Sequence, residues 1–284
     1  MSGFAISGNF RDPQNEQITY MEKELKISIV TVCFNAASII EQTISSVINQ
    51  SYKNVEYIII DGGSTDGTID IIQKKQQYLT YWISEPDHGI YDAMNKGASA
   101  ATGDYIFFLN AGDLFYDIDT LSQTVQIIAL DENTTVYLGD IVCSFRNKVL
   151  GRVKATPFVT AWHTPPHQGM FIKRILFEND LYCCNFRILG DREFLLRVKH
   201  NKEGLVFKTL NIVISEYDLS GISSSRRKSF KIYREAKVLA KSFDDNFLLN
   251  SFLQCMKALL KYVSSYVLPD TLYFKMLYYR KQMK

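Results

Sequence analysis

Short apolar runs alternate with amphipathic stretches along the first 110 residues of the chain. The runs are rich in β-branched residues and have no polar face, which is typical of strands buried on both sides of a parallel sheet. These predicted strands are Lys26–Phe34, Val55–Ile60, Thr80–Ser84 and Tyr105–Asn110. The stretches between them repeat apolar residues at helical spacing. These predicted helices are Ser38–Gln50, Ile69–Gln77 and Ile90–Ala101.

The alternation of strands and helices predicts an α/β fold, a parallel sheet with helices on both faces. Ligands of such sheets bind beyond the carboxyl ends of the strands. Polar or glycine-rich segments follow three predicted strands at that edge, namely Cys33–Ala36, Asp61–Asp66 and Asn110–Asp113. We therefore expect these segments to form one binding site.

The second half of the chain has a less regular pattern. Val136–Val142 and Val149–Lys154 are predicted to form an antiparallel pair. Gly169–Lys173 and Val206–Tyr217 have the pattern of further strands, and Arg192–His200 that of a helix. Three regions follow from these patterns: a loose polar leader at 1–25, a folded domain at 26–225 and a basic helical region at 226–284.

Composition excludes several classes of protein. The 284 residues are 46% hydrophobic and 22% charged, which is typical of a globular chain rather than a disordered one. No uncharged apolar stretch of about 18 residues occurs, which argues against a polytopic membrane protein. Five cysteines without a C-x-x-C pair argue against a disulfide framework or a thiolate zinc site. The first residues lack the pattern of a secretory signal, so we expect a cytoplasmic location.

Charge is distributed unevenly along the chain. The net charge is +2, yet residues 226–284 carry 13 Lys and Arg against 4 Asp and Glu. Apolar and aromatic residues recur there at helical spacing, and a basic amphipathic helix is typical of a membrane interface. Packing on the body or on a second subunit, as in a homodimer, is the alternative. No nucleic-acid-binding motif accompanies the basic residues, so we expect no nucleic-acid partner.

Two loops at the sheet edge allow both a structural and a functional interpretation. The turn Asp61–Gly67 is neither a dinucleotide fingerprint nor a P-loop. Thr65 or Asp66 could cap the next helix, or Asp61 could accept hydrogen bonds from a nucleotide. Asp113 could likewise cap a helix or bind Mg²⁺ or Mn²⁺ together with substrate phosphates.

Taken in order, several segments resemble the inverting glycosyltransferases of family 2, in the branch associated with bacterial O-antigen and capsule assembly. The segments are KISIVTVCFN, YIIIDGGSTDGT and WISEPDHGIYDAMNKGASAATGDYIFFLNAGD. The resemblance covers about residues 26–225. It implies the GT-A fold, a Rossmann-like and mainly parallel α/β sheet, here with a C-terminal helical extension. It also implies a nucleotide-sugar donor, which we expect to be a UDP-sugar, and an undecaprenyl-diphosphate-linked glycan acceptor. The enzyme would then lie peripherally on the inner face of the cell membrane.

The resemblance also implies roles for residues around the donor. Lys96 would face the diphosphate, and Asp113 would bind Mn²⁺ or Mg²⁺ as the remaining carboxylate of the D-x-D region. In that region Asn110 and Gly112 stand where many relatives have Asp. The residues implied to contact the donor are Thr31, Asn35, Asp61, Asp66, Asp92, Asn95, Lys96 and Asn110.

Inverting transfer needs a base for the acceptor hydroxyl, and a positioned carboxylate is the usual one. The segment ILGDREFLLR matches the family's late acidic motif, which implies that Asp191 is the base and Glu193 the second choice. A cap on the following helix is the structural alternative for Asp191. His167 and Gln168 match the family's H-Q segment and are candidates for contact with the donor sugar or the acceptor. The loop around Ser220 resembles one that closes over the diphosphate.

The sequence therefore favours an inverting glycosyltransferase of surface polysaccharide synthesis. A second hypothesis is a catalytically weak nucleotide-sugar-binding or scaffolding subunit of an assembly complex, suggested by the reduced D-x-D region and the basic C-terminal region. The presence of Asp191 argues against the second hypothesis, because a binding subunit needs no base.

Overall fold

The computed structural model describes residues 24–131, 133–145, 148–178, 180–201, 204–219 and 229–243, and short stretches between 253 and 279. The predicted leader lies almost wholly outside these residues, and so does the loop around Ser220. Among the described residues, no helix is both long and apolar enough to cross a bilayer.

The first half of the chain folds as the alternation predicts. Four parallel strands lie in the order β3-β2-β1-β4, and a helix connects each to the next along the chain. The strands are β1 (Ile27–Cys33), β2 (Val55–Asp61), β3 (Tyr81–Ser84) and β4 (Tyr105–Phe108). The helices are α1 (Ile40–Ile48), α2 (Thr68–Lys74) and α3 (Ile90–Ala100). The predicted α/β class is confirmed.

The second half contains a mixed sheet. Strand β8 lies between β4 and β6 and is antiparallel to both, while β9 runs parallel to β6. The predicted pair β6 and β7 is antiparallel, as expected. The strands are β5 (Leu114–Phe115), β6 (Val136–Phe145), β7 (Lys148–Val153), β8 (Met170–Lys173) and β9 (Phe207–Asp218). The helices are α4 (Thr120–Ile128), α5 (Gly190–Asn201) and α6 (Ser229–Phe243).

Two apolar cores cover the two faces of the sheet. Ile27 and Ile29 of β1 face a core that includes α1 and α4. Val30 and Val32 point to the opposite face, where α3, α5 and α6 pack. This alternation is the period of two expected for a strand covered on both sides. Helices therefore lie on both faces of the sheet, as predicted.

Two parts of the C-terminal region pack on the body. Ala236, Leu239 and Ala240 of α6 are buried in the same core as α3 and α5. Tyr273 is fully buried in a third cluster with residues of β6 and β9. For these residues, packing on the body, which was the alternative to a membrane interface, is therefore correct.

Gly97 tests the contact between α3 and β1. A Cβ atom at Gly97 would lie 2.3 Å from Cγ1 of Val30. Overpacking of this kind costs about 1–3 kcal/mol, of which the better helix propensity of Ala returns about 1 kcal/mol. We expect Gly97→Ala to lower the free energy of unfolding in urea by up to about 2 kcal/mol. Ser99→Ala, on the exposed side of α3, is the control and should change little. Stabilisation by Gly97→Ala would contradict this packing.

Candidate active site at the carboxyl edge of the sheet

The loops that follow β1 and β2 are tied together by side chains. Asn35 adopts a positive φ of 48°, and its Oδ1 accepts a hydrogen bond from the Thr65 amide at 3.0 Å. Asp66 accepts from the Ala37 amide at 3.0 Å and from the Thr68 amide at 3.1 Å. The N-cap residue of α2 is Gly67, so Asp66 is not the N-cap that the sequence suggested. Asp66 instead ties the start of α2 to the neighbouring loop.

Asp61 is fully buried and saturated with hydrogen bonds from the protein. Its Oδ2 accepts from the Ser64 amide at 2.8 Å and from the Ser84 hydroxyl at 2.6 Å, while the Cys33 thiol donates to Oδ1. Burial alone would raise the pKa of Asp61, but these hydroxyl and amide donors outweigh it and leave the pKa below its ordinary value. In this arrangement Asp61 shapes the turn and offers no free oxygen to a nucleotide.

Two residues predicted to contact the donor bind parts of the protein's own framework. Thr31 is fully buried in the middle of β1, where its hydroxyl donates to the Leu109 carbonyl at 2.8 Å. Asn95 is also buried, and its amide group binds both the N–H and the C=O of Tyr182, at 2.8 and 2.9 Å. Both side chains face inward and hold framework segments together, and contact of Thr31 and Asn95 with the donor stays a prediction.

Lys96 and Asp92 lie on the exposed side of α3. Lys96 pairs with Glu85 at 2.7 Å and lies 3.9 Å from Asp92. The hydrogen bond to Glu85 is the main reason that the pKa of Lys96 is raised, so the side chain stays cationic. Asp92 also accepts the His88 amide at 2.9 Å. The cation predicted to face a diphosphate is thus shared with two carboxylates. Arg187, which sequence analysis did not single out, donates to the His88 carbonyl beside them.

Asp191 lies at the centre of the site, buried in the first turn of α5. Its Oδ1 accepts from the Arg192 amide at 2.8 Å and from the Tyr91 hydroxyl at 3.2 Å. An N-cap would bind an amide two or three residues further on, so this is not the capping geometry of the alternative interpretation. Burial and then the charge of Asp191 raise the pKa of Tyr91 well above its ordinary value, so its hydroxyl stays protonated.

His167 joins Asp191 to the loop after β4. Its Nδ1 lies 3.9 Å from Oδ2 of Asp191, and its Nε2 lies 3.1 Å from Nδ2 of Asn110. His167 stands in a short 3₁₀ turn, His167–Gly169, directly before β8. The fold thus brings Asn110, His167 and Asp191 into one row, although they are far apart in sequence.

Glu193 and Gln168 have contacts outside this row. Glu193 is buried and pairs with Arg197 at 2.8 Å, and Arg197 in turn binds Asp180 at 2.6 Å. This ion pair occupies the carboxylate of Glu193, whose role as the second-choice base stays a prediction. Gln168 is buried, and its carbonyl accepts the Ser215 hydroxyl at 2.6 Å, which ties the His167 turn to β9.

The D-x-D region offers two oxygen groups that suit a hard divalent cation. Asp113 is buried, and its amide donates to the Asn110 carbonyl at 2.9 Å, so both side chains belong to one turn. The Oδ1 atom of Asn110 is buried and has no hydrogen-bond partner among the residues that the structure describes. A buried acceptor without a partner costs about 1–3 kcal/mol, which a cation or a substrate donor would recover.

These residues fit Mn²⁺ or Mg²⁺ as part of a coordination shell. In the described ranges no group of three or more His, Cys, Asp or Glu side chains could hold a metal ion. Such ions are often bound by one or two carboxylates together with substrate phosphates and water. Asp113 and the amide oxygen of Asn110 would be the ligands that the protein supplies.

Sequence comparisons relate the chain to known glycosyltransferases. The family described as Glycosyl transferase family 2 matches residues 28–198. An uncharacterised glycosyltransferase of Mycobacterium tuberculosis is 31% identical over 210 residues, which are 72% of this chain and 79% of that protein. A PGL/p-HBAD biosynthesis glycosyltransferase of Mycobacterium bovis is 30% identical over 70% of this chain and 79% of its own length.

Solved structures share the fold at low sequence identity. The mannosyltransferase PcManGT from Pyrobaculum calidifontis, in complex with GDP-Man and Mn²⁺, superposes with a TM-score of 0.60 at 15% identity, over 89% of this chain and 78% of that one. S. aureus TarS 1–349, in complex with UDP-GlcNAc, superposes with a TM-score of 0.58 at 16% identity, over 84% of this chain and 73% of that one. This chain covers 44% of the longer TarS chain. The shared fold is the GT-A fold. Since the family match spans more than half of its length, the chain belongs to glycosyl transferase family 2 and is a glycosyltransferase.

Proposed function

We propose that this glycosyltransferase moves one sugar, with inversion, from a UDP-sugar to a lipid-linked glycan in bacterial surface polysaccharide synthesis. The observation that carries the proposal is the row formed by Asn110, His167 and Asp191. It joins the loop beside the implied metal ligand Asp113 to the implied base. A nucleotide-sugar donor is supported by TarS, whose structures include complexes with UDP and with UDP-GlcNAc.

In the proposed reaction Asp191 takes the proton of the acceptor hydroxyl. Its Oδ1 is engaged by Tyr91 and Arg192, so Oδ2 is the atom that receives the proton. The acceptor oxygen forms its bond to the anomeric carbon as the bond to the diphosphate breaks on the opposite face. This single displacement inverts the anomeric configuration. General base catalysis of this kind contributes about 10²–10⁴-fold to the rate.

The leaving diphosphate needs positive charge as it departs. Lys96 is the candidate cation of the chain, once the diphosphate displaces Glu85 from it. A bound Mn²⁺ or Mg²⁺, held by Asp113 and Asn110, would stabilise the developing charge as a Lewis acid. Asn35 and Asp66 hold the two loops that would line the nucleotide. A structural neighbour with GDP-Man and Mn²⁺ supports this metal requirement.

Asp191→Asn tests the base. We expect nucleotide release to fall by about 10²–10⁴-fold, because the amide cannot accept the proton. The assay measures UDP or GDP released from UDP-glucose, UDP-galactose, UDP-GlcNAc and GDP-mannose, with an undecaprenyl-diphosphate-linked sugar or water as acceptor. Asp70→Asn, on the exposed side of α2, is the matched control and should keep the wild-type rate. Full activity of Asp191→Asn, or loss of UDP binding in it, would contradict the assignment.

Thermal stabilisation tests the donor and metal sites together. We expect one of UDP, GDP, TDP or CMP to raise the Tm with Mn²⁺ and to do so less with EDTA. A ligand at 100 times its Kd adds about 2.7 kcal/mol of stability. Asp113→Asn should remove the Mn²⁺-dependent part of the shift, whereas Asp119→Asn should keep it.

The outcomes of this experiment separate the two functional hypotheses. A shift combined with no nucleotide release from any donor would favour the binding or scaffolding subunit. The absence of a shift with every nucleotide would contradict the donor site itself.

A lipid-linked acceptor would be reached at a membrane surface, and the C-terminal residues suit such a surface. Leu253, Met256, Leu260 and Val263 are about half exposed or more, and they recur at helical spacing. Lys257 lies among them and is also exposed. Apolar residues interleaved with a basic one favour the interface of an anionic bilayer, where each nearby Lys or Arg adds about 1 kcal/mol.

Vesicle flotation tests this contact. We expect the full chain to float with vesicles that contain phosphatidylglycerol and to float less with pure phosphatidylcholine. Leu260→Glu should weaken flotation, since it places a carboxylate at the apolar surface. Leu130→Glu, at a site 87% exposed on the body, should not. Equal flotation of both variants would argue against this surface as the membrane contact.

A further inference from the structure

We infer that Glu235, on helix α6 of the C-terminal region, is a positioning residue for Asp191. This inference rests on the proposed function, because it assumes that Asp191 is the base. It adds a residue outside 28–198, the range that matches the family, and it makes α6 a part of the active-site framework.

The carboxylate of Glu235 accepts hydrogen bonds from three consecutive backbone amides. Oε1 accepts from Arg187 at 3.1 Å, and Oε2 accepts from Ile188 and Leu189 at 3.0 Å each. The next residues along the chain are Gly190 and Asp191, which open α5. Glu235 therefore fixes the backbone that leads directly into the base.

The same backbone is held from the other side by Tyr91 of α3. The Tyr91 hydroxyl lies 2.8 Å from the Ile188 carbonyl and 3.2 Å from Oδ1 of Asp191. Gly190 packs on the ring of Tyr91 so closely that a Cβ there would lie 2.7 Å from ring carbons. The segment from Ile188 to Asp191 is thus clamped between α3 and Glu235.

The segment needs such a clamp because it has no regular structure of its own. Residues 180–189 lie outside any helix or strand, so their amides have no partners in a ladder. Packing fixes the position of α6 and therefore of Glu235. Ala236 and Leu239 are buried in the core, and the rings of Tyr233 and Trp162 stack with their centroids 6.4 Å apart.

The sequence of α6 also sets Glu235 apart. It is the single acidic residue of the helix, which carries four Lys and Arg. The basic character of α6 does not explain a carboxylate at this position. The three backbone amides before α5 explain it, because they need a hydrogen-bond acceptor.

The first test is amide hydrogen exchange in Glu235→Gln. An amide side chain offers one oxygen acceptor where the carboxylate has two, so at least one of the amides of Arg187, Ile188 and Leu189 should exchange at least tenfold faster. Exchange in β1 and β2 should not change. Lys237→Gln, which removes a charge from the exposed side of α6, is the control. Unchanged exchange at the three amides would overturn the clamp. If Glu235→Gln does not fold, Glu235→Asp, whose carboxylate is one methylene shorter, is judged by the same criteria.

The second test measures what the clamp does for the reaction. A misplacement of about 1 Å can cost on the order of 100-fold in rate, so we expect Glu235→Gln to lower nucleotide release by about 10–100-fold. The Tm shift with UDP and Mn²⁺ should stay as in the wild type, because the donor site is not touched. A wild-type release rate, or a rate that falls only in step with UDP binding, would overturn the positioning role.

A double variant separates the failure of this inference from that of the proposed function. If Glu235 acts through Asp191, then Glu235→Gln combined with Asp191→Asn is no slower than Asp191→Asn alone. If the rate loss of the double variant is the product of the losses of the two single variants, Glu235 acts elsewhere. That result would overturn the inference only. A full rate in Asp191→Asn would instead overturn the base assignment of the proposed function, and with it this inference.

Discussion

The short row of Asn110, His167 and Asp191 is the contact on which the proposed chemistry depends. Each residue comes from a different part of the chain, and only the insertion of antiparallel β8 beside β4 brings the His167 turn to the sheet edge. Within the row, the buried Oδ1 atom of Asn110 has no hydrogen-bond partner among the described residues. A polar site with an unmet acceptor is more costly than an apolar one, and binding a donor or cation relieves that cost.

Several residues of the family's motifs are bound by the protein's own framework. Asp61 organises the turn after β2, Thr31 donates to the Leu109 carbonyl directly after β4, and Asn95 holds the backbone of Tyr182. A buried polar side chain that fixes a loop is as demanding of its residue type as one that binds a ligand.

The sequence predicted the parallel half of the sheet because its strands are apolar on both faces and its helices are amphipathic. It missed β5 and α4 (Thr120–Ile128), since a two-residue strand and a short helix give little periodic signal. It named Asp191, His167 and Asn110, but could not show that Thr31 and Glu193 are occupied elsewhere, because burial and ion pairing are set by tertiary packing. No motif marks Glu235, whose role is visible only from the three amides that it binds.

The central claim is a single displacement in which Asp191 deprotonates the acceptor on the face opposite the leaving diphosphate. The most direct test is the anomeric configuration of the product, read by proton NMR after transfer from an α-linked UDP-sugar. The account predicts a β-linked product. An α-linked product would contradict it, because retention requires attack from the same face as the leaving group or two successive displacements.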